Sequence, residues 1–242
     1  MKSYFVLLSL FIGQLQCQVA SVNKAGDCGV TRSCMTMPYK CTPSIAFDFR
    51  TLFPCTVISW RTGEDGISVT VYGENTDNPG DWVGVGLSKT GGMETSDTYI
   101  CKRLGEEIQL VSAYSAARGP PTEYPTELND PSSNPGIADG TIGTSRDENS
   151  YSCTFVINPT VTKEGETFNY VKDVGYTILV ARGSLTDWRT TYHTEKLQSL
   201  EVVEFHPDEK QLFIRGNAKT SAMIKSHAAL MFVAWALCAP LG

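Results

Sequence analysis

The chain holds three histidines, at positions 193, 206 and 227, and one methionine in an unusual setting: Met93, within GLSKTGGMETSDTYICKR, among glycines and small polar residues. A hydrolytic triad would have to be built on one of those histidines, yet no GxSxG elbow, HExxH pair or glycine-rich phosphate loop accompanies them. Haem ligation asks for less, namely one or two side chains with a lone pair, commonly a histidine nitrogen and a methionine sulfur, held on opposite sides of a pocket. Met93 and His193 lie 100 residues apart, each just after an apolar strand-like run, which suits two loops meeting at one end of a sandwich. On spacing alone, the plainer reading of Met93 as a loop gap-filler and His193 as an exposed polar residue stands beside it.

The elements that must position these residues read as β from about residue 57 to 215. SVTVYGE (68–74), DWVGVGLSK (81–89), IQLVSAYSA (108–116), YSCTFVINP (151–159), YTILVARGS (176–184) and SLEVVEF (199–205) are short, often alternating, and rich in valine, isoleucine, threonine and aromatics. Turn-forming stretches separate them and no amphipathic helix intervenes, a pattern that predicts an all-β, antiparallel sandwich of immunoglobulin-like kind. The connection from Arg118 to Arg146 is longer than such loops usually are.

The two ends of the chain differ from this middle. Residues 1–17, MKSYFVLLSLFIGQLQC, carry a lysine and then an apolar run too short to span a bilayer, and read as a secretory signal peptide. A cysteine-rich lobe is expected over 18–56, the sandwich over 57–215, a linker over 216–222, and the start of a transmembrane helix or an anchor signal over 223–242. The last 15 residues, from Ala228, carry no charge, short of the ~20 a span requires. Gly216, Asn217 and Ala218, a polar spacer and the apolar tail also fit a glycosylphosphatidylinositol signal. Both readings put the domain outside the cytoplasm, at a membrane surface of the secretory pathway.

Cysteine usage agrees with that compartment. Cys28, Cys34, Cys41, Cys55, Cys101 and Cys153 form an even set between the signal and the tail, and are expected in disulfides. A zinc site among the first four lacks both paired CxxC spacing and a nearby histidine. The net charge of -6 gives no electrostatic footprint for nucleic acid.

Several separated stretches, in order, carry a resemblance. CGVTRSCMTMPYKC (28–41), DWVGVGLSKTGGMETSDTYIC (81–101), YSCTFVINP, ILVARGS (178–184) and TTYHTEKLQSLEVVEF (190–205) are similar to a DOMON domain of the ferric-chelate reductase 1 group. In haem-binding relatives, among them the cytochrome domain of cellobiose dehydrogenase, the iron of haem b sits between a methionine that precedes an SD pair and a histidine beyond a strand like ILVARGS. The resemblance therefore implies Met93 and His193 as axial ligands, and Cys101 with Cys153 as the family's later cysteine pair. It implies an electron-transfer module acting on ferric chelates or a similar one-electron acceptor, with a membrane protein as partner. The tail KSHAALMFVAWALCAPLG resembles the opening of a cytochrome b561 domain, which would make His227 a ligand of a membrane haem. The competing expectation is a haem-free, membrane-tethered interaction module. Trp60 and Trp82 read as core, Asp97 as a turn residue, His206 as the fallback ligand, and Arg182 and Arg189 as partners for haem carboxylates.

Overall fold

The computed structural model describes residues 28, 31–37, 54–75, 80–116, 120–124, 134–173, 175–205, 213–214 and 216–217. The expected signal and apolar tail, residues 218–222 of the expected linker, and Cys41, His206 and His227 fall outside them, whereas Gly216 and Asn217 of that linker are described and form a short strand. The described residues form two sheets and a small hairpin, and the all-β antiparallel expectation holds.

One sheet has six strands, running β14 (Phe213–Ile214), β1 (Ser33–Met37), β2 (Thr56–Gly63), β3 (Gly66–Glu74), β9 (Ser150–Ile157) and β8 (Gly143–Arg146). The other has seven: β15 (Gly216–Asn217), β13 (Arg189–Ser199), β12 (Thr177–Thr186), β4 (Gly80–Ser88), β5 (Ser96–Leu104), β6 (Glu107–Ser115) and β7 (Thr122–Glu123). Strands β10 (Thr160–Lys163) and β11 (Glu166–Asn169) make the hairpin. Neighbours are antiparallel except β1 and β14. Tyr192 and His193 were expected beyond a strand and instead lie within β13, whereas most of the run 199–205 is irregular, joined to the sheet region by the bridge between Val203 and Tyr176.

Alternation explains which faces meet. Ile67, Val69 and Val71 of β3 and Val83, Val85 and Leu87 of β4 point into the space between the sheets, with Trp60, Phe155, Ile178 and Phe205. The two sheets are tied covalently as well. Cys101 on β5 bonds Cys153 on β9 with a Cα separation of 5.8 Å, so this pair crosses between facing sheets rather than joining neighbouring strands. Cys28 bonds Cys34 on β1, and Cys55 is also disulfide-bonded.

The interior is closed. A cavity of about 10 Å³ lies between the sheets, lined by Trp60, Leu87, Ile178, Phe205 and other apolar side chains. That is at the lower limit for a single water and far too small for an organic cofactor. Any such group must sit outside the sandwich or at its end.

Candidate functional site

β4 is the middle strand of the seven-stranded sheet, and all nine of its residues are buried, including those that point away from the core. Its outward residues are Trp82, Gly84, Gly86 and Ser88. Register places Gly84 between Ile100 of β5 and Ala181 of β12, and Gly86 between Thr98 and Leu179. Trp82, Ile100 and Ala113, with Ala181 and Leu185 against them, form a second apolar cluster on this outer side. Between that cluster and Ser88 runs a strip of small and half-buried residues: Gly84, Gly86, Leu179 and Ala181. Trp82 is thus buried as expected, though on the outer side of the sheet and not between the sheets.

His193 reaches the same outer face through a bulge. Arg182 pairs Glu195 while Gly183 pairs His193, so Thr194 is the extra residue. Without it the period of two would send His193 to the inner side. The Thr194 hydroxyl donates to the Arg182 carbonyl at 3.3 Å, and the Thr191 hydroxyl to the Ser184 carbonyl at 2.7 Å, which holds the irregular stretch in place. His193 is half-buried and meets the Tyr192 ring edge to face at 4.2 Å between centroids. Burial, chiefly, and the nearby Lys196 charge lower its pKa against a backbone hydrogen bond that raises it, favouring the neutral imidazole that a metal requires.

Met93 lies in the connection between β4 and β5 and is 37% exposed. The base of that loop is pinned: the Ser96 hydroxyl donates to the Met93 carbonyl at 2.9 Å, Thr90 to the Glu94 carbonyl at 3.2 Å, and Lys89 to the Thr167 carbonyl at 2.8 Å. Gly91, at φ +77°, brings the loop so close to β12 and β13 that a Cβ there would lie 3.6 Å from Thr177 Oγ1 and 3.5 Å from Gln198 Nε2. The loop therefore leans over the outer face, toward the strand that carries His193. Gln198 stands level with Leu179 and His193 with Gly183, four residue rows apart, or roughly 13 Å at about 3.3 Å per residue. Met93 and His193 accordingly occupy opposite ends of the glycine strip; they do not meet as two loops at one end.

Both ends are strained. Thr95, two residues after Met93, has φ 54°, and the β12–β13 turn places Asp187 and Trp188 at 48° and 64°. An aromatic residue in that region costs energy and persists only where its surroundings impose it. The buried Lys102 ammonium imposes it here, donating to the Trp188 carbonyl at 2.7 Å and to Glu123 at 2.5 Å.

Beneath the Met93 loop, on the inner side, sits a hub that sequence reasoning missed. Asp97 is fully buried and accepts from Lys163, from the Tyr170 hydroxyl, and from the Tyr99 hydroxyl at 2.8 Å. It is not a turn residue. Lys163 also donates to the Ala113 carbonyl at 3.1 Å, and burial, opposed by the Asp97 charge, lowers its pKa. Each residue is ordinary in the sequence, 66 positions from the other, and only the fold pairs them. Of the two arginines expected near a carboxylate, Arg182 is committed to the Pro54 and Glu74 carbonyls at 2.9 and 3.1 Å, and Arg189 is exposed beside the turn. Among the described residues no group of three or more histidine, cysteine, aspartate or glutamate side chains could hold a bare metal ion. A thioether and an imidazole are donors of the kind that ligate haem iron, and the structure places the residues that carry them at opposite ends of the strip.

No family model matches the chain. A solved structure, the cytochrome domain of Myriococcum thermophilum cellobiose dehydrogenase, is 11% identical with a TM-score of 0.45, covering 72% of this chain and 82% of that one. Ferric-chelate reductase 1 of Bos taurus is 24% identical and that of Mus musculus 26%, each over 90% of this chain and 33% of the relative. The Homo sapiens protein of that name is 23% identical over the same shares. The chain spans about a third of the length of these curated relatives. Over nine-tenths of its length it is a homologue of proteins named ferric-chelate reductase 1.

Proposed function

We propose that the chain is an extracytoplasmic b-type haem module that passes single electrons toward ferric chelates or a similar acceptor, as part of a ferric-chelate-reductase-like protein. The observation that carries this reading is the outer face of the seven-stranded sheet, where a strip floored by Gly84 and Gly86 runs from the loop of Met93 to His193. Met93 and His193 would hold the iron of the haem, a thioether and an imidazole being the two lone-pair donors that a six-coordinate iron needs. Haem, when bound, supplies one-electron chemistry by cycling its iron between two oxidation states. The chain's own residues bind, orient and enclose it. The Asp97 hub and the pinned loop base fix Met93, and the bulge at Thr194 turns His193 to the same side. A thioether ligand beside imidazole raises the potential relative to histidine alone, which suits a carrier fed by a stronger reductant.

The disulfides Cys28–Cys34 and Cys101–Cys153, with the bonded Cys55, support an oxidising compartment. Tethering to a membrane through residues 223–242, and a ligand role for His227, are parts of the same proposal. No helix among the described residues is long and apolar enough to cross a membrane, and the apolar tail lies outside them. Reduction of ferric chelates is assigned to the longer protein of which this is the module.

The test is the absorption spectrum of the chain expressed with haem available, oxidised and dithionite-reduced. Sharp low-spin bands on reduction, lost in Met93→Ala and in His193→Ala while secretion continues, support the assignment. A folded protein that shows no haem bands supports the haem-free interaction module and overturns it. Haem bands unchanged in Met93→Ala overturn the ligand assignment alone.

A further inference from the structure

The strip contains a hydrogen-bond donor that has no partner among the described residues. Trp82 is 7% exposed, and its indole Nε1 is buried without a partner. Tryptophan can only donate, and leaving a buried donor unmade costs about 1–3 kcal/mol. Phenylalanine would give much the same packing without that cost, so the N–H calls for an acceptor from outside the described residues. Its polar neighbours are spoken for: Lys102 holds Glu123 and the Trp188 carbonyl, and the Thr190 hydroxyl donates to the other Glu123 oxygen at 2.5 Å.

The position of the indole identifies the acceptor. Trp82 pairs Gly183, and Gly183 pairs His193, so the three stand in one row across β4, β12 and β13. A Cβ on Gly183 would lie 2.8, 2.9 and 3.0 Å from Nε1, Cε2 and Cζ2. Three nearly equal distances mean that the face of the indole lies flat on the glycine, with its N–H parallel to the sheet. The donor is therefore held over Gly183, in the same cross-strand row as His193. Haem bears strong acceptors only at its two propionate carboxylates; its methyl and vinyl groups accept nothing. Arg182, the charged alternative, is committed to backbone carbonyls on the inner side.

We propose, resting on the haem reading above, that Trp82 binds a haem propionate through its Nε1–H, with Gly183 kept bare so that the indole can lie flat beside His193. Trp82 would thus be a cofactor-orienting residue, fixing the place of one propionate relative to His193.

The experiment compares the full chain and its Trp82→Phe variant, each loaded with haem or with haem dimethyl ester, by the rate of haem transfer to excess apomyoglobin. A hydrogen bond to a carboxylate predicts that the variant loses haem roughly tenfold to a hundredfold faster than wild type, and that with the ester most of this difference vanishes. Equal rates with haem overturn the proposal. So does a difference that persists unchanged with the ester, because packing or a bound water would then explain it. Should the variant fail to fold, hydrogen exchange of the Trp82 indole N–H in the wild-type protein decides: slowing on loading with haem but not with the ester supports the proposal, and equal behaviour overturns it. If wild type takes up neither compound, the haem reading falls and takes this one with it; if it loads both and only the Trp82 comparison fails, this one falls alone.

Discussion

The two sheets treat their outer faces in opposite ways. Along β2, β3 and β9 the six-stranded sheet turns out Ser59, Ser68, Thr70, Ser152 and Thr154, and three of these hydroxyls pair within that face: Thr70 meets Thr154 at 3.3 Å, and Ser152 meets Ser145 of β8 at 3.0 Å. Across the core, the seven-stranded sheet turns out Trp82, Gly84, Gly86, Ile100 and Ala181, with an indole N–H left over. A face that pairs its own polar groups is complete as it stands. A face of glycines and apolar side chains with one stranded donor is complete only with something laid upon it. On the proposed reading the same fold carries a structural side and a binding side, and the difference lies in which residues occupy the outward positions of otherwise similar strands.

The largest perturbation is one that ignores the difference. Tyr99, Tyr151 and Tyr170 lie in the core, and burial, with nearby aspartate charge, holds each phenol well above its ordinary pKa of 10.0. Above pH 10 the unfolded chain releases these protons while the native one keeps them, so stability falls as pH rises, by ~1.4 kcal/mol per pH unit for each, or about 4 together. Lys163 works the other way by one proton: its folded pKa is lowered, so it contributes stability that grows as pH rises toward its unfolded value of 10.5. The net expectation is a steep alkaline loss in which both faces melt together, read by circular dichroism and tryptophan fluorescence. Separate transitions by the two probes would show that the sheets do not share one cooperative core.

Next in size is Asp97→Ala. It leaves Lys163 buried without its carboxylate, and breaking a buried pair from one side costs about 3–5 kcal/mol. Asp97 adjoins Ser96, which holds the Met93 carbonyl, so the hub lies directly beneath the base of that loop. A denaturant midpoint within error of wild type would show that the hub is incidental. Gly183→Val comes after it. The added side chain must displace the Trp82 ring, an overpacking of about 1–3 kcal/mol, and the variant should fold yet fail to retain haem. Retention at the wild-type level would mean that the indole need not lie on that glycine.

The sandwich was legible because its inner faces obey a simple period: Ile67, Val69, Val71 and Val83, Val85, Leu87 alternate as half-buried strands must. The site was legible only in part. Residues 189–199 were not read as a strand because RTTYHTEKLQS lies near the sheet margin with five of its eleven residues exposed and only Leu197 and Ser199 buried, which leaves no hydrophobic period to read. Strand character was looked for instead in SLEVVEF, where Val202 is exposed and only Val203 bridges. The bulge at Thr194, which decides the face of His193, leaves no mark in composition. Nor could a pattern of apolar residues tell that Trp82 faces outward: the valines beside it fix the parity of β4, and that parity becomes a statement about sides only once the second sheet is in place.

The smallest expected effect is the sharpest control. Thr70→Val with Thr154→Val removes one hydroxyl pair from the structural face while keeping the β-branched shape at both sites. Losing both partners of a hydrogen bond together leaves nothing unsatisfied, so stability should change by less than about 1 kcal/mol. Haem retention should not change at all, since the pair lies on the far side of the sandwich from the glycine strip. The comparison with Gly183→Val is then direct, because each set of changes adds or keeps β-branched bulk on an outward position of a central strand. If the threonine variant also lost haem, retention would be tracking the general stability of the sandwich, and the division into a structural face and a binding face would be wrong. If it kept haem while the valine at position 183 expelled it, the binding function would be localised to one outer face by measurement as well as by register.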